Sequence, residues 1–379
     1  MREIVILGST GSIGIQALEV IAANPESFKV VALAAGGGNI PTLIAQAEKF
    51  GVKVIGVSQG GAQARELAQG IEVIDGPMAA TEIASIPCDI VLNGITGSIG
   101  LGPTLAALGV GNRVALANKE SLVAGGDLVT AFGLDRIIPV DSEHSALYQC
   151  FMAGSRGEVK RAILTASGGA FRDKQDLSSV TLAEALAHPT WSMGPVVTIN
   201  SATLVNKGLE IIEAHYLFDL PYEQIDAVIH PQSVIHSMVE FVDGATIAQL
   251  SPPNMKGPIA YAMGAPHRTA HATSAVDWTQ SHSWTFAPID ESKFPAINLA
   301  RHCGKLGGGL PAVFNAANEV AVASFMSGEI PFTSIIEVVA GTASKLESLS
   351  GSIMRDLVDV SAVEEDARQV ARSLVVEKR

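Results

Sequence analysis

Short apolar runs alternate with helical stretches over the first 145 or so residues. The runs are Ile4–Leu7, Val30–Ala34, Val52–Val57, Ile90–Asn93, Val114–Ala117 and Ile137–Val140. That rhythm predicts a parallel, doubly wound sheet. From about residue 146 the pattern changes. Ala162–Ala166 leads into a loop dense in Gly, His, Pro and Trp, followed by a helix over about Ala202–Ala214. Ala227–His230, Val234–Phe241 and Thr246–Leu250 then alternate like antiparallel strands. Residues 266–294 mix Pro, His, Thr and Ser without a period and read as a linker. Helical spacing returns from Pro295, notably over Pro311–Met326, Thr333–Glu347 and Ser361–Val376. The expected organisation is α/β: a Rossmann-like domain over 1–145, an α+β domain over 146–265, the linker, and a small helical domain over 295–379.

The first strand runs into Gly8-Ser-Thr-Gly11-Ser-Ile-Gly14, which opens a helix. Glycines permit a tight turn and close backbone approach, and a helix N-terminus offers unpaired N–H groups to a pyrophosphate. The plain alternative is a glycine-rich turn with no ligand. A near copy, Gly94-Ile-Thr-Gly-Ser-Ile-Gly100, follows the strand Ile90–Asn93 and reads as a turn lining the other side of the same crevice. The second strand ends in Gly36-Gly-Gly38-Asn39, where an NAD enzyme usually carries an acid for the ribose 2′-hydroxyl. The missing acid leans toward NADP.

Composition narrows the partners. The 379 residues carry a formal net charge of −13, which argues against nucleic acid or an anionic membrane surface. An anionic substrate would need local Lys, Ser and helix N-termini. Cys88, Cys150 and Cys303 match no metal or redox spacing, so a reducing cytoplasm is expected. Met1-Arg-Glu runs straight into a strand, so no leader peptide is expected. The uncharged stretch Ile90–Asn112 is broken by six glycines and reads as buried loop and helix rather than a membrane span.

The sharpest chemical signal is Asp141-Ser142-Glu143 at the end of the apolar strand Arg136–Val140. Residues two apart on a strand share a face, roughly 6.5–7 Å apart at Cα. Two carboxylates aimed at one place repel unless a cation lies between them. Glu210 is the most plausible third acid. In Ser201-Ala-Thr-Leu-Val-Asn206-Lys207-Gly-Leu-Glu210, helical spacing puts Asn206, Lys207 and Glu210 on one face. On their own they would more readily be a solvated helix surface. An all-oxygen set selects Mg²⁺ or Mn²⁺ over zinc. Ser167-Gly168-Gly169 ends a strand and offers a hydroxyl with backbone N–H groups. His188-Pro-Thr-Trp191-Ser-Met193-Gly194 suits a lid that closes over a ligand, or a set of core anchors. His230 and His236, an even number apart, could face one way. Lys119, in Ala117-Asn118-Lys119-Glu120 at the same sheet rim, could stabilise a developing negative charge.

Together these segments, with His144, His230-Pro-Gln-Ser-Val-Ile-His236 and Asn315-Ala-Ala-Asn-Glu319, resemble the 1-deoxy-D-xylulose 5-phosphate reductoisomerase family over nearly the whole chain. The resemblance implies a homodimer that uses NADPH with Mg²⁺, Mn²⁺ or Co²⁺. The implied reaction rearranges and reduces 1-deoxy-D-xylulose 5-phosphate to 2-C-methyl-D-erythritol 4-phosphate. Asp141, Glu143 and Glu210 would bind the metal. Lys119, Glu143, His188, Glu210 and His236 would be catalytic. Substrate would meet Lys119, Ser142, Glu143, Ser167, His188, Trp191, Ser201, Asn206, Lys207 and Glu210, with the phosphate near Ser167, Ser201, Asn206 and Lys207. His188, Trp191 and Met193 would belong to the lid. NADPH would meet Thr10, Gly11, Ser12, Ile13, Gly36, Gly38, Asn39, Asn118, Glu120 and Gly194. One departure is that some members have a Lys where this chain has Gly36–Gly38. Two rival readings are a metal-independent NAD(P) dehydrogenase and a non-catalytic dinucleotide sensor. Both leave the three acids unexplained.

Overall fold

The apolar runs of the first 140 residues pair into a seven-stranded sheet in the computed structural model, which describes residues 1–191 and 193–378. Ser192, in the expected lid, and Arg379 lie outside the described residues. The strands are β1 (Arg2–Leu7), β2 (Phe28–Ala35), β3 (Val54–Val57), β4 (Glu72–Asp75), β5 (Ile90–Asn93), β6 (Arg113–Leu116) and β7 (Ile137–Pro139). Their order is β4-β3-β2-β1-β5-β6-β7, and every pair is parallel. The order reverses between β1 and β5, so the carboxyl ends of those two strands flank the crevice where such sheets take their ligands. β4 was not expected. It is an edge strand with only Val73 and Ile74 apolar, too short a pattern to register beside the buried strands.

The chain forms two compact units. The first comprises 1–121, 128–148 and 254–276. Its core packs Ile4, Ile6, Leu33, Ile55, Ile90, Leu92 and Ile138 from the sheet with Ile259–Met263 from the helix Lys256–Gly264. This corrects the expected layout. The 266–294 segment is not one linker: its first part belongs to the sheet unit, where Thr269 donates to the Ala260 carbonyl at 3.2 Å and the Arg268 guanidinium lies 5.4 Å from the centre of the Tyr261 ring. Two core-facing turns of helix preceding it supply the hold that the aperiodic stretch itself lacks.

The second unit comprises 122–127, 149–253 and 277–379. Its sheet holds β8 (Val159–Ala166), β9 (Ile225–Ile229), β10 (Ile235–Phe241), β11 (Thr246–Leu250) and β12 (Ala287–Pro288), in the order β11-β10-β8-β9-β12. β10 pairs antiparallel with β8 and β11, but β8 and β9 are parallel, so the sheet is mixed rather than antiparallel. The helices between β8 and β9 form the crossover that lets them run the same way. The expected Ala202–Ala214 helix is two helices, Pro195–Ala202 and Val205–Phe218, broken at Leu204, whose φ is +58°. The C-terminal helices Leu310–Met326, Ser334–Lys345 and Leu357–Lys378 match the helical spacing, yet they share this unit rather than forming a third. Asn318 donates to Asn200 at 3.0 Å, and the rings of Phe171 and Phe332 lie 5.0 Å apart.

Glycine is required at one turn by contact. A Cβ at Gly14 would lie 2.4 Å from both the Gly8 carbonyl oxygen and Ser9 Cα, whereas one at Gly36 would meet nothing within 4 Å. Gly14→Ala is therefore expected to lower unfolding free energy by about 1–3 kcal/mol, as overpacking does, and Gly36→Ala to stay within about 0.5 kcal/mol of wild type. Urea denaturation of both variants checks this; equal effects would contradict the geometry.

Candidate active site

At the end of β1 the backbone turns at Gly8, φ +77°, and the Gly11 N–H donates to the Gly8 carbonyl at 3.0 Å. The helix Ser12–Ala23 then starts with no side-chain cap. Thr10, Gly11, Ser12 and Ile13 thus border uncapped helical N–H groups, a natural anion seat. A Cβ at Gly8 would fall 2.8 Å from the Gly94 carbonyl oxygen, so the turn that echoes the signature forms the other wall of the crevice, as expected. Asn118 closes that wall. Its amide donates to the carbonyls of Ile95 at 2.7 Å and Gly97 at 2.8 Å and to Glu120 at 3.1 Å, and the residue is buried. Its side chain therefore holds the turn. On the next loop Gly36 and Gly38 stand open and exposed, while the Asn39 side chain caps the helix Ile40–Phe50 by accepting from the Thr42 N–H at 3.2 Å. The resemblance had given Asn118 and Asn39 to the cofactor; the structure commits both side chains to local architecture.

The acids of the sheet unit are not held as two residues of one strand. β7 ends at Pro139 and a helix starts at Ser142, so Asp141 sits at the helix entry and Glu143 in its first turn. The cause is local: the Asp141 carboxylate accepts from the Glu143 N–H at 3.1 Å and its carbonyl from the Ser145 N–H at 2.8 Å, a capping pattern. Carboxylate oxygens of Asp141 and Glu143 still come within 4.8 Å of each other. Ser142 donates to Glu143 at 2.6 Å. The Lys119 ammonium donates to Asp141 at 2.7 Å, with the two side chains 12 % and 11 % exposed, and the buried His144 ring lies 3.1 Å from the other Asp141 oxygen. Burial by itself would raise the Asp141 carboxyl; Lys119 and His144 outweigh it and hold the group well below the usual carboxylate range. His144 is a member of the site that had no assigned role, although its i,i+3 spacing from Asp141 marks it.

In the second unit, the Val205–Phe218 helix brings Asn206, Lys207 and Glu210 together. Glu210 accepts from both Asn206 and Lys207, and the Lys207 and Glu210 side chains are 3 % and 1 % exposed. The solvated-surface alternative is excluded for this trio. Ser167, after β8, opens a turn in which Gly168 and Gly169 take φ values of +86° and +66°. A Cβ at Gly169 would lie 2.5 Å from the Ser201 carbonyl oxygen, which places Ser201 against the same turn.

His188 is locked. Its Nδ1 accepts from the Thr190 and Trp191 N–H groups at 3.1 and 2.9 Å, so the neutral ring carries its proton on Nε2, 3.0 Å from Ser167 Oγ. Ser167 Oγ also accepts from the Gly169 N–H at 3.2 Å. With its acceptor sites filled, the Ser167 hydroxyl has its own proton left to donate to an anion. Burial, and secondarily the Arg172 charge, push the His188 pKa down. Trp191 lies 6.2 Å, ring to ring, from His236, and Met193 and Gly194 lead into the Pro195–Ala202 helix. His236 is buried, its Nε2–H directed at the Ser251 carbonyl and hydroxyl, each 3.1 Å away. His230 does not join it. It lies beyond β9 with Nε2 accepting from the Val234 and Ile235 N–H groups, a pin for that loop.

Comparison with known proteins agrees along the whole chain. Family models match residues 4–126, described as 1-deoxy-D-xylulose 5-phosphate reductoisomerase, residues 137–218, described as its C-terminal domain, and residues 250–370, described as DXP reductoisomerase C-terminal domain. The 1-deoxy-D-xylulose 5-phosphate reductoisomerase of Kitasatospora griseola is 53 % identical over 98 % of this chain and 99 % of its own. That of Paenarthrobacter aurescens (strain TC1) is 55 % identical over 94 % and 95 %. Among solved structures, a DOX-P reductoisomerase in complex with NADPH, fosmidomycin and magnesium is 38 % identical with a TM-score of 0.92, covering 99 % of this chain and 98 % of that one. The Zymomonas mobilis 1-deoxy-D-xylulose 5-phosphate reductoisomerase in complex with NADPH is also 38 % identical, with a TM-score of 0.92 and 99 % of each chain covered.

The His188 geometry has a direct spectroscopic consequence. A pKa below the ordinary 6.5 means the neutral ring predominates at pH 6.5 and above, and protonation on further acidification would cost the two bonds that Nδ1 accepts. Nitrogen-15 NMR of labelled protein is expected to show the Nε2–H tautomer with a midpoint below 6.5. An Nδ1–H tautomer, or a midpoint above 6.5, would contradict the arrangement.

Proposed function

The chain belongs to the 1-deoxy-D-xylulose 5-phosphate reductoisomerase family, and we infer from that membership that it is an NADPH-dependent oxidoreductase. It converts 1-deoxy-D-xylulose 5-phosphate into 2-C-methyl-D-erythritol 4-phosphate with a divalent metal ion. The observation that carries this reading is 53 % identity across 98 % of the chain.

The residues fit the groups this activity needs. Asp141, Glu143 and Glu210 hold the ion, an oxygen-only set suited to Mg²⁺ or Mn²⁺, with Co²⁺ also accepted. Asp141 is ionised at neutral pH, as a ligand must be. When bound, the cation supplies Lewis acidity to the ketone and hydroxyl of the substrate, and NADPH supplies the hydride. The Gly8–Gly14 turn, too tight for a side chain at Gly14, seats the pyrophosphate on the N–H groups of Ser12 and Ile13. No acid stands at Gly36–Asn39 to repel a 2′-phosphate.

Lys119 directs its ammonium toward negative charge developing on the substrate. Ser142 orients Glu143. Ser167, Ser201, Asn206 and Lys207 grip the phosphate, with His188 holding the Ser167 hydroxyl so that it donates outward. Trp191 and Met193 cover the substrate, His236 backs the indole, and closure keeps water from the reacting carbons. A homodimer in the cytoplasm is the expected state of the family. Burial pushes the Cys150 and Cys303 thiols up to about 11 and about 12, which keeps them unreactive. Among the described residues no helix is long and apolar enough to cross a membrane.

Following NADPH absorbance with 1-deoxy-D-xylulose 5-phosphate tests the reading. Oxidation is expected with Mg²⁺, to vanish with EDTA and to return with added Mg²⁺ or Mn²⁺. Glu210→Gln should cut turnover by about a hundredfold or more, as loss of a charged transition-state contact does, while NADPH still binds. EDTA-insensitive oxidation would favour a simple dehydrogenase, and full activity of Glu210→Gln would remove that residue from the metal set.

A further inference from the structure

We propose that Lys293 is a positioning residue for the phosphate-binding turn at Ser167–Gly169. The proposal rests on the reading of that turn as the seat of the substrate phosphate. Lys293 comes from the aperiodic stretch that the sequence pattern offers only as a linker, more than a hundred residues from the turn. Its ammonium donates to the carbonyl oxygens of Phe171 at 2.8 Å and Arg172 at 2.9 Å. Arg172 in turn donates from its guanidinium to the Ser167 carbonyl at 3.1 Å. A continuous path therefore runs from Lys293 through Arg172 to Ser167, whose hydroxyl His188 holds.

Three further observations make this a fixed clamp rather than a roaming surface lysine. The Lys293 backbone is held in place, because the Asp290 carboxylate accepts from the N–H groups of Ser292 at 3.1 Å and Lys293 at 3.2 Å, and the Asp290 carbonyl accepts from Phe294 N–H at 3.0 Å. The ammonium also lies 5.0 Å from the centre of the Phe294 ring, a cation–π contact that restricts the side chain. The turn itself has no slack: a Cβ at Gly168 would strike Arg172 Cβ at 2.8 Å, and one at Gly169 the Ser201 carbonyl at 2.5 Å. Loosening Phe171 and Arg172 would thus shift the Gly168–Gly169 backbone relative to Ser201. In a chain of net charge −13 the clamp also brings two cations, Lys293 and Arg172, to the turn expected to receive a dianion.

Steady-state kinetics with 1-deoxy-D-xylulose 5-phosphate at saturating NADPH and Mg²⁺ test this on the full-length enzyme. Lys293→Met is expected to raise KM about tenfold, with kcat within about twofold and NADPH affinity unchanged, the split left by lost ground-state binding. Lys293→Arg, which can reach the same carbonyls, should bring KM back to within about threefold of wild type. Ser167→Ala, measured alongside, should raise KM as well. If Ser167→Ala raises KM while Lys293→Met leaves it within twofold, or if Lys293→Arg fails to rescue it, the positioning role is wrong. An unchanged KM in Ser167→Ala would overturn the phosphate turn itself, and the proposal with it. Should Lys293→Met not fold, Lys293→Gln decides: a wild-type KM overturns the proposal, and a raised KM at intact kcat supports it.

Discussion

A carboxylate can be buried only when something positive is buried with it. An isolated buried charge costs many kcal/mol, and a pair deprived of one partner loses about 3–5 kcal/mol. This constraint organises the site. Asp141 carries Lys119 and His144, and Glu210 carries Lys207 and Asn206, each set drawn from within its own compact unit. Asp141 is therefore ionised, and both acids are positioned before any cation or substrate arrives. The lysines that hold them are groups of the kind a sugar phosphate needs, so under the proposed function one pairing would serve both stability and binding.

The frame around these pairs is made of turns at strand ends. The parallel sheet reverses its order between β1 and β5, and the two glycine turns there approach so closely that a side chain at Gly8 would strike the Gly94 backbone, while one at Gly14 would strike Gly8 and Ser9 of its own turn. The mixed sheet ends β8 in a third glycine turn, where Ser167 is oriented by His188 and the turn abuts Ser201. The Gly8–Gly14 turn and the Ser167 turn offer N–H and hydroxyl donors to anions in a protein whose overall charge is negative. Local geometry thus overcomes the global field at the places where it must.

Much of this was legible in the chain. The parallel sheet followed from apolar runs at regular intervals, and the one strand missed, β4, has only two apolar residues at an exposed edge. The Asn206–Lys207–Glu210 trio followed from helical spacing, because i,i+3 and i,i+4 neighbours meet whatever the tertiary context. The Asp141–Glu143 pair was found through an argument about strand alternation, but Asp141 caps a helix instead. An acid two residues before another can approach it in either conformation, so the two carboxylates meet although the expected strand geometry does not hold. Asn39 and Asn118 illustrate the opposite limit: motif membership does not reveal that a side chain also caps a helix or holds a turn. Whereas His144 carries a local trace in its i,i+3 spacing from Asp141, Lys293 acts through tertiary contacts more than a hundred residues away, which leave no periodic trace. Residues 254–276 were unreadable as part of the sheet unit for the same reason, since only packing against the sheet assigns them there.

The central claim is the proposed one, that Asp141 and Glu210 are both ligands of the divalent metal ion the reaction needs. Mn²⁺ titration followed by electron paramagnetic resonance, with the NADPH-loaded protein, addresses it most directly. The account predicts one tight Mn²⁺ per wild-type chain, and at least tenfold weaker binding in Asp141→Asn and in Glu210→Gln alike. Wild-type affinity in either variant, or two independent Mn²⁺ sites each sensitive to only one substitution, would contradict it.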